Sequence, residues 1–230
     1  KYIFSFLLLS SVVILLINQP DLGQSILLTI TWIATVFISG VSLLFIVGFF
    51  SIFFISICLL LFLMPEKFGY VTNRLISFID PSKGDKFQSS SALDAIKLGG
   101  LTGQGMGEGI LKDKVPEAHT DYIIAVISEE FGAIFVLFIV IIFLYIGYKV
   151  LNKVFSEHDE FLKLTLVGLV SLLIIQTFIH IGVNTRLLPT TGMTLPFLSY
   201  GGSSLIGTSI ISGIILNFTR KDYTRSKKND

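Results

Sequence analysis

The chain is short of charge: 14% of its 230 residues are Asp, Glu, Lys or Arg, while 52% are hydrophobic. A water-soluble domain carries nearer a quarter of its residues charged, so bulk water is excluded as the solvent for most of this chain. Cysteine is almost absent. Cys58 is the only one, and it lies in an apolar run, which excludes a disulfide framework and leaves a small buried hydrophobe. Charge of one sign is missing as well: 17 Lys and Arg against 16 Asp and Glu leave a net charge of +1, and no nucleic-acid partner is expected. The first apolar run lacks a cleavage-site pattern, so it is not a typical signal peptide. The chain is expected to begin partway through a longer protein.

Long apolar runs take the place of charge, and the 21 Phe residues concentrate in them. A helix needs roughly 20 apolar residues to cross about 30 Å of hydrocarbon. Segments at about 2–18, 23–39, 43–64, 122–147, 162–184 and 199–218 meet or approach that length. They predict an all-α integral membrane protein, a polytopic helix bundle with about six transmembrane helices and one long extracytoplasmic loop. Residues 1–64 would carry three spans, 65–121 the loop, 122–219 three more, and 220–230 a basic cytoplasmic tail. Gln19-Pro20-Asp21 stops the first span, with Asp21 as a cap for the second. Lys1, Lys149, Lys153, Lys163, Arg220, Lys221, Arg225, Lys227 and Lys228 fall on one side, and only Arg186 on the short segments opposite. The positive-inside rule then puts both chain ends in the cytoplasm and the 65–120 loop outside.

That loop carries apolar stretches at Leu75–Ile79 and Ala95-Ile96 suited to short interfacial helices. The glycines that follow, from Gly99-Gly100 through Gly103, Gly105, Gly107 and Gly109, lack a Walker Lys-Ser/Thr ending. They suit flexible backbone near a ligand or a simple hinge equally. The densest ionisable cluster is Val115-Pro116-Glu117-Ala118-His119-Thr120-Asp121, at the mouth of the fourth span. With Pro116 in a first helical turn, Glu117 and Asp121 share a face, continued by Ala125, Ser128 and Gly132. Capping the helix dipole and chemistry on a ligand both explain such a cluster. Glu129 and Glu130 lie two turns deeper, where charge faces a bundle interior or a cavity. At 100° per residue Glu129 is about 80° from Asp121 and Glu130 about 180°. Glu129 is therefore the site candidate, and Glu130 is expected to pair elsewhere.

In the fifth span Gln176, His180 and Asn184 recur every four residues as a polar stripe, which predicts interhelical hydrogen bonds or, at His180, proton handling. Residues 187–198 are too broken by Pro and Gly to span as a helix, so they predict a re-entrant or cavity-lining segment. Ser199-Tyr200-Gly201-Gly202-Ser203-Ser204 opens the last span. Free N–H groups at its start suit a phosphate, or ordinary capping and close packing.

Several of these stretches together resemble the FtsW branch of the SEDS family, polytopic peptidoglycan glycosyltransferases. They are Q-P-D-L-G at 19–23, R-L-I-S-F-I-D-P at 74–81, P-E-A-H-T-D at 116–121, E-E-F-G at 129–132 and G-V-N-T-R-L-L-P-T-T-G-M-T-L-P-F-L-S-Y-G-G-S-S at 182–204. The resemblance covers nearly the whole chain in order and corresponds to spans five to ten of the family's ten. His180 stands where the family typically has Asn. By resemblance Asp121 matches the family's essential aspartate, and lipid II, a disaccharide-peptide on undecaprenyl pyrophosphate, is the substrate. The resemblance also implies a class B penicillin-binding transpeptidase and other divisome membrane proteins as partners, in the bacterial inner membrane. On this basis Asp121 is the expected catalytic base. Glu117, His119, Lys97, Glu129, Arg186, Ser203 and Ser204 are the expected substrate contacts, with Arg186, Lys97 or the last helix's start on the pyrophosphate. A divalent cation, Mg or Mn, would assist there. A lipid II flippase, a RodA-type elongation polymerase and a non-catalytic membrane scaffold are the alternatives.

Overall fold

The computed structural model describes residues 2–42, 44–51, 55, 65–79 and 87–220. Seven helices are labelled here in chain order: α1 Tyr2–Asn18, α2 Leu22–Ile38, α3 Pro65–Ile79, α4 Phe87–Gly99, α5 Ile123–Phe155, α6 Glu160–Asn184 and α7 Gly202–Thr219. The expected third span begins as helix at 44–51, and most of the rest of it lies outside the described residues, as does the tail from 221. The described residues contain no strand.

Local chemistry sets the helix ends. Asp21 accepts from the Gln24 N–H at 3.0 Å and starts α2, and Asp159 accepts from the Phe161 N–H at 2.9 Å and starts α6. Helices α5, α6 and α7, of 33, 25 and 18 residues, are long and apolar enough to cross a membrane. At 17 residues each, α1 and α2 reach about 25 Å, a short crossing. Outward-facing Ile134, Leu137, Phe138, Ile141 and Tyr145 give α5 an exposed apolar face, the surface that lipid covers in a multi-pass membrane protein.

Inside, α6 packs on α2 and α5, and α4 packs on α5. One core cluster joins Leu27 of α2, Ala92 and Ala95 of α4, Tyr122 and Ala125 at the head of α5, Val183 of α6 and Met193 of the following segment. The stripe Ala125, Ser128 and Gly132 is thus buried, covered by α4 rather than lipid.

Helix α5 breaks at Gly132, whose φ of 81° and ψ of 172° are open to glycine alone among the residues. The break leaves backbone groups unpaired at membrane depth, and the glycine-rich stretch supplies their partners. Gln104 N–H donates to the Glu129 carbonyl at 2.8 Å and Gly105 N–H to the Glu130 carbonyl at 3.0 Å. In return Ala133 N–H donates to the Gly100 carbonyl at 2.9 Å. Side chains would prevent this approach: an added Cβ at Gly99 would fall on the Ser128 carbonyl, and one at Gly103 on the Glu130 carbonyl. The glycines therefore form a backbone splint for a broken helix.

Candidate functional site

Helix α5 starts at Ile123 and not at Pro116. The expected helical face shared by Glu117 and Asp121 is replaced by a turn, with Glu117 at a φ of 53°. The Glu117 carbonyl accepts from the N–H groups of Thr120, Asp121 and Tyr122 at 3.1, 3.1 and 3.2 Å. The two carboxylates stay close enough to interact electrostatically.

Three consecutive carbonyls then tie this turn to the last part of the chain. Tyr200 N–H donates to the His119 carbonyl at 2.8 Å. Ser199 Oγ donates to the Thr120 carbonyl at 2.6 Å, and Asn184 Nδ2 to the Asp121 carbonyl at 2.9 Å. Asn184 Oδ1 also accepts from the Ala125 N–H at 3.1 Å. The backbone under Asp121 is thereby held from α6 and from the residues leading into α7.

Residues 187–201 contain no helix. Thr191, Met193 and Leu195 of this segment are buried. Two members of the polar stripe on α6, Gln176 and His180, meet this backbone and not another helix, while Asn184 makes the expected interhelical bond to the Ala125 N–H of α5. Gln176 Nε2 donates to the Thr194 carbonyl at 2.8 Å, and His180 Nδ1 lies 2.7 Å from the Met193 carbonyl. Gly23 of α2 packs under the same segment, where a Cβ would lie 2.9 Å from the Thr191 carbonyl.

Asp121 opens onto a cavity of about 190 Å³ lined by Arg74, Gln88, Asp121, Tyr122, Val183, Thr190, Gly192 and Met193. Burial, followed by the nearby Glu117 carboxylate, raises the Asp121 pKa above the ordinary aspartate value, and Arg74 opposes them. Tyr122 is 2% exposed, and burial together with Asp121 pushes its phenol up to about 12. Both the Tyr122 hydroxyl and the Arg74 Nη1 are buried without a hydrogen-bond partner. A carboxylate, a guanidinium and a phenol thus converge on one small space. A poised base and an anion holder are the chemistry this arrangement offers.

The other predicted residues are distributed differently. Glu129 is 0% exposed, and its Oε1 accepts from the N–H groups of Ile110 and Leu111, both at 2.7 Å. Through that oxygen it anchors the end of the glycine-rich stretch, while its Oε2 is buried without a hydrogen-bond partner, and it lines no part of the cavity. Glu130 pairs with Lys112 at 2.7 Å. Lys97 and His119 are exposed and line no part of the cavity. Arg186 sits at a φ of 63° just beyond α6, also off the lining. Ser204 Oγ is 2.7 Å from Thr194 Oγ1, while Ser203 is exposed. Thr190, Gly192 and Met193 come from the segment expected to be re-entrant or cavity-lining, whereas Arg74, Gln88 and Tyr122 had no predicted role. Only the position of Arg74 inside a family-like stretch signalled it in the sequence.

Among the described residues no group of three or more His, Cys, Asp or Glu side chains could hold a metal ion. A divalent cation here would draw most of its ligands from phosphate and water.

The geometry can now be set beside known proteins. A "Probable peptidoglycan glycosyltransferase FtsW" of Caulobacter vibrioides is 38% identical over 217 residues, 94% of this chain and 55% of the relative. One of the same name from Legionella pneumophila is 34% identical over 235 residues, 97% of this chain and 59% of the relative. The chain therefore spans little more than half the length of these curated relatives. A solved structure described as "Structural coordination of polymerization and crosslinking by a peptidoglycan synthase complex" superposes with a TM-score of 0.74 at 26% identity. It covers 94% of this chain and 61% of that one. The family model for FtsW, RodA and SpoVE, described as "Cell cycle protein", matches residues 1–224. With the match running through the Asp121 turn, the splinted helix and the segment after α6, the chain belongs to the FtsW/RodA/SpoVE family of cell cycle proteins.

Proposed function

We propose that the complete protein polymerises lipid II into glycan strands during septal wall synthesis, with Asp121 as the general base. The observation that carries this is the half-buried Asp121 carboxylate, raised in pKa, opening onto a cavity that also holds Arg74. The names of the relatives support the reaction class.

Joining two sugars requires a hydroxyl nucleophile and a leaving group. Asp121 takes the proton of the acceptor sugar's 4-hydroxyl as its oxygen attacks the donor's anomeric carbon, and the bond from that carbon to pyrophosphate breaks. A carboxylate with a raised pKa is the stronger base once ionised. Pyrophosphate leaves readily when its charge is neutralised, so one carboxylate suffices, and a single displacement inverts the anomeric centre. The turn under Asp121 matters because its three tied carbonyls, at 119, 120 and 121, keep the carboxylate aimed. The site faces the extracytoplasmic side of the bacterial inner membrane, beside a class B penicillin-binding transpeptidase and other divisome proteins.

The test is polymerisation of purified lipid II by the complete protein with its transpeptidase partner. Asp121→Asn, which keeps shape and removes the base, is expected to lower the rate by about 10²- to 10⁴-fold. Near-normal polymer from that variant overturns the base. Lipid II crossing vesicle bilayers with no polymer formed would favour a flippase instead.

A further inference from the structure

We propose that Arg74 holds the departing prenyl pyrophosphate during transfer; the assignment rests on the polymerase reading above and gives that site its leaving-group pole. Arg186, Lys97 and the start of α7 are the candidates the sequence offers. None of them lines the cavity.

Arg74 comes from α3, in the stretch between the membrane spans, and reaches the wall of the cavity that Asp121 also lines. Its Nη1 is buried and unpartnered. A buried guanidinium donor without an acceptor is costly, and a site that carries one is complete only when an anion arrives. The cavity's roughly 190 Å³ is below the 300 Å³ or so of a pocket that encloses a drug-sized ligand. It therefore takes the reacting end of the substrate, the pyrophosphate and the carbon bonded to it, and leaves the rest outside. Gly192, at a φ of 71°, brings bare backbone to the wall, and a Cβ there would stand 3.5 Å from Asp121 Oδ2. Space beside the carboxylate is thus kept for substrate.

Two charges of opposite sign in one small cavity fit the bond changes. The acceptor oxygen forms its bond to the anomeric carbon and releases its proton to Asp121. The bond from that carbon to the phosphate oxygen breaks, its electron pair goes to pyrophosphate, and the guanidinium accepts that growing charge through paired N–H donors. While the cavity lacks an anion, Arg74 weakens Asp121 as a base. Bound pyrophosphate neutralises Arg74 and restores that basicity, so Asp121 becomes fully basic only with a donor in place.

The experiment uses the complete protein with its transpeptidase partner and the variants Arg74→Gln and Arg74→Lys. The probes are undecaprenyl pyrophosphate and undecaprenyl phosphate, each as an inhibitor of lipid II polymerisation and as a direct ligand of the Asp121→Asn background. Arg74→Gln is expected to cut polymerisation by about 10²-fold, to weaken undecaprenyl pyrophosphate by at least about tenfold, and to leave undecaprenyl phosphate nearly unchanged. Arg74→Lys, which keeps charge without the fork, should fall between. Wild-type affinity of a folded Arg74→Gln for undecaprenyl pyrophosphate overturns the proposal, as does equal loss for both lipids. If Arg74→Gln does not fold, Arg74→Lys decides by the same two affinities. If Asp121→Asn polymerises normally while Arg74 variants lose the pyrophosphate lipid, the base assignment fails and Arg74 stands as a prenyl pyrophosphate site.

Discussion

The Asn184 side-chain amide donates to the Asp121 carbonyl at 2.9 Å and accepts from the Ala125 N–H at 3.1 Å. One fully buried amide on α6 thus bridges the last turn residues before α5 and its first turn, so the direction of Asp121 is set by a neighbouring helix. Asn184→Leu would take this donor from the Asp121 carbonyl, while the Ala125 N–H keeps the Tyr122 carbonyl at 2.9 Å. The expected loss is about 1–3 kcal/mol, read as a lower unfolding temperature of the complete protein, together with slower lipid II polymerisation.

The acid limb of kcat/KM should lie above the pH at which an ordinary aspartate titrates, because burial first and Glu117 second raise Asp121 while Arg74 opposes. Glu117→Gln removes a neighbouring negative charge, favours the ionised form, and is expected to move the limb to lower pH. Arg74→Gln removes the opposing cation and should move whatever rate remains to higher pH. A limb unmoved in both variants would show that another group governs it.

Stability should carry the same signature with the sign of a raised carboxyl. Between the unfolded and the raised folded pKa of Asp121, the folded state binds more protons than the unfolded one. Stability from this group is therefore fully present below the unfolded value and falls as pH rises through the folded one. Asp121→Asn lacks this fall and should unfold at the wild-type temperature or above near neutral pH. A marked drop there would mean that the carboxylate is structural.

The splint of α5 predicts a sharp contrast among glycines. Gly103→Ala forces a side chain into a φ of 80° and onto the Glu130 carbonyl, a strain of about 1–3 kcal/mol before the displaced backbone is counted. Gly213→Ala in α7 meets nothing within 4 Å and has an ordinary helical φ, so it should gain about 1 kcal/mol. Thermal unfolding of the two variants checks the order.

The adjacent glutamates should behave unequally. Glu129→Ala removes the acceptor of the part-buried Ile110 and Leu111 N–H groups, each bond worth about 1–3 kcal/mol. Glu130→Ala gives up a partly exposed pair with Lys112, worth at most about 1 kcal/mol. A larger unfolding shift for Glu130→Ala would reverse their assigned roles.

Composition and run length alone determined the membrane as solvent and the helical class, because apolar runs near 20 residues have few other stable uses. The breaks at Pro20-Asp21 and through 187–198 were legible too, since Pro, Gly and a capping Asp act within a few residues of themselves. Asp121 stood out as part of an ionisable cluster at a span's mouth. What faces it did not. Arg74 lies 47 positions earlier in the chain, and Thr190 and Gly192 come some 70 later; nothing in their local spacing brings them to one cavity. Charge and spacing likewise could not tell that Glu129, expected beside the substrate, lies off the cavity that Asp121 lines, because both look like costly charges near a membrane. Only tertiary structure decided that Glu129 accepts two backbone N–H groups on one oxygen while Asp121 lines a cavity, since hydrogen-bond partners are settled by which distant segment arrives.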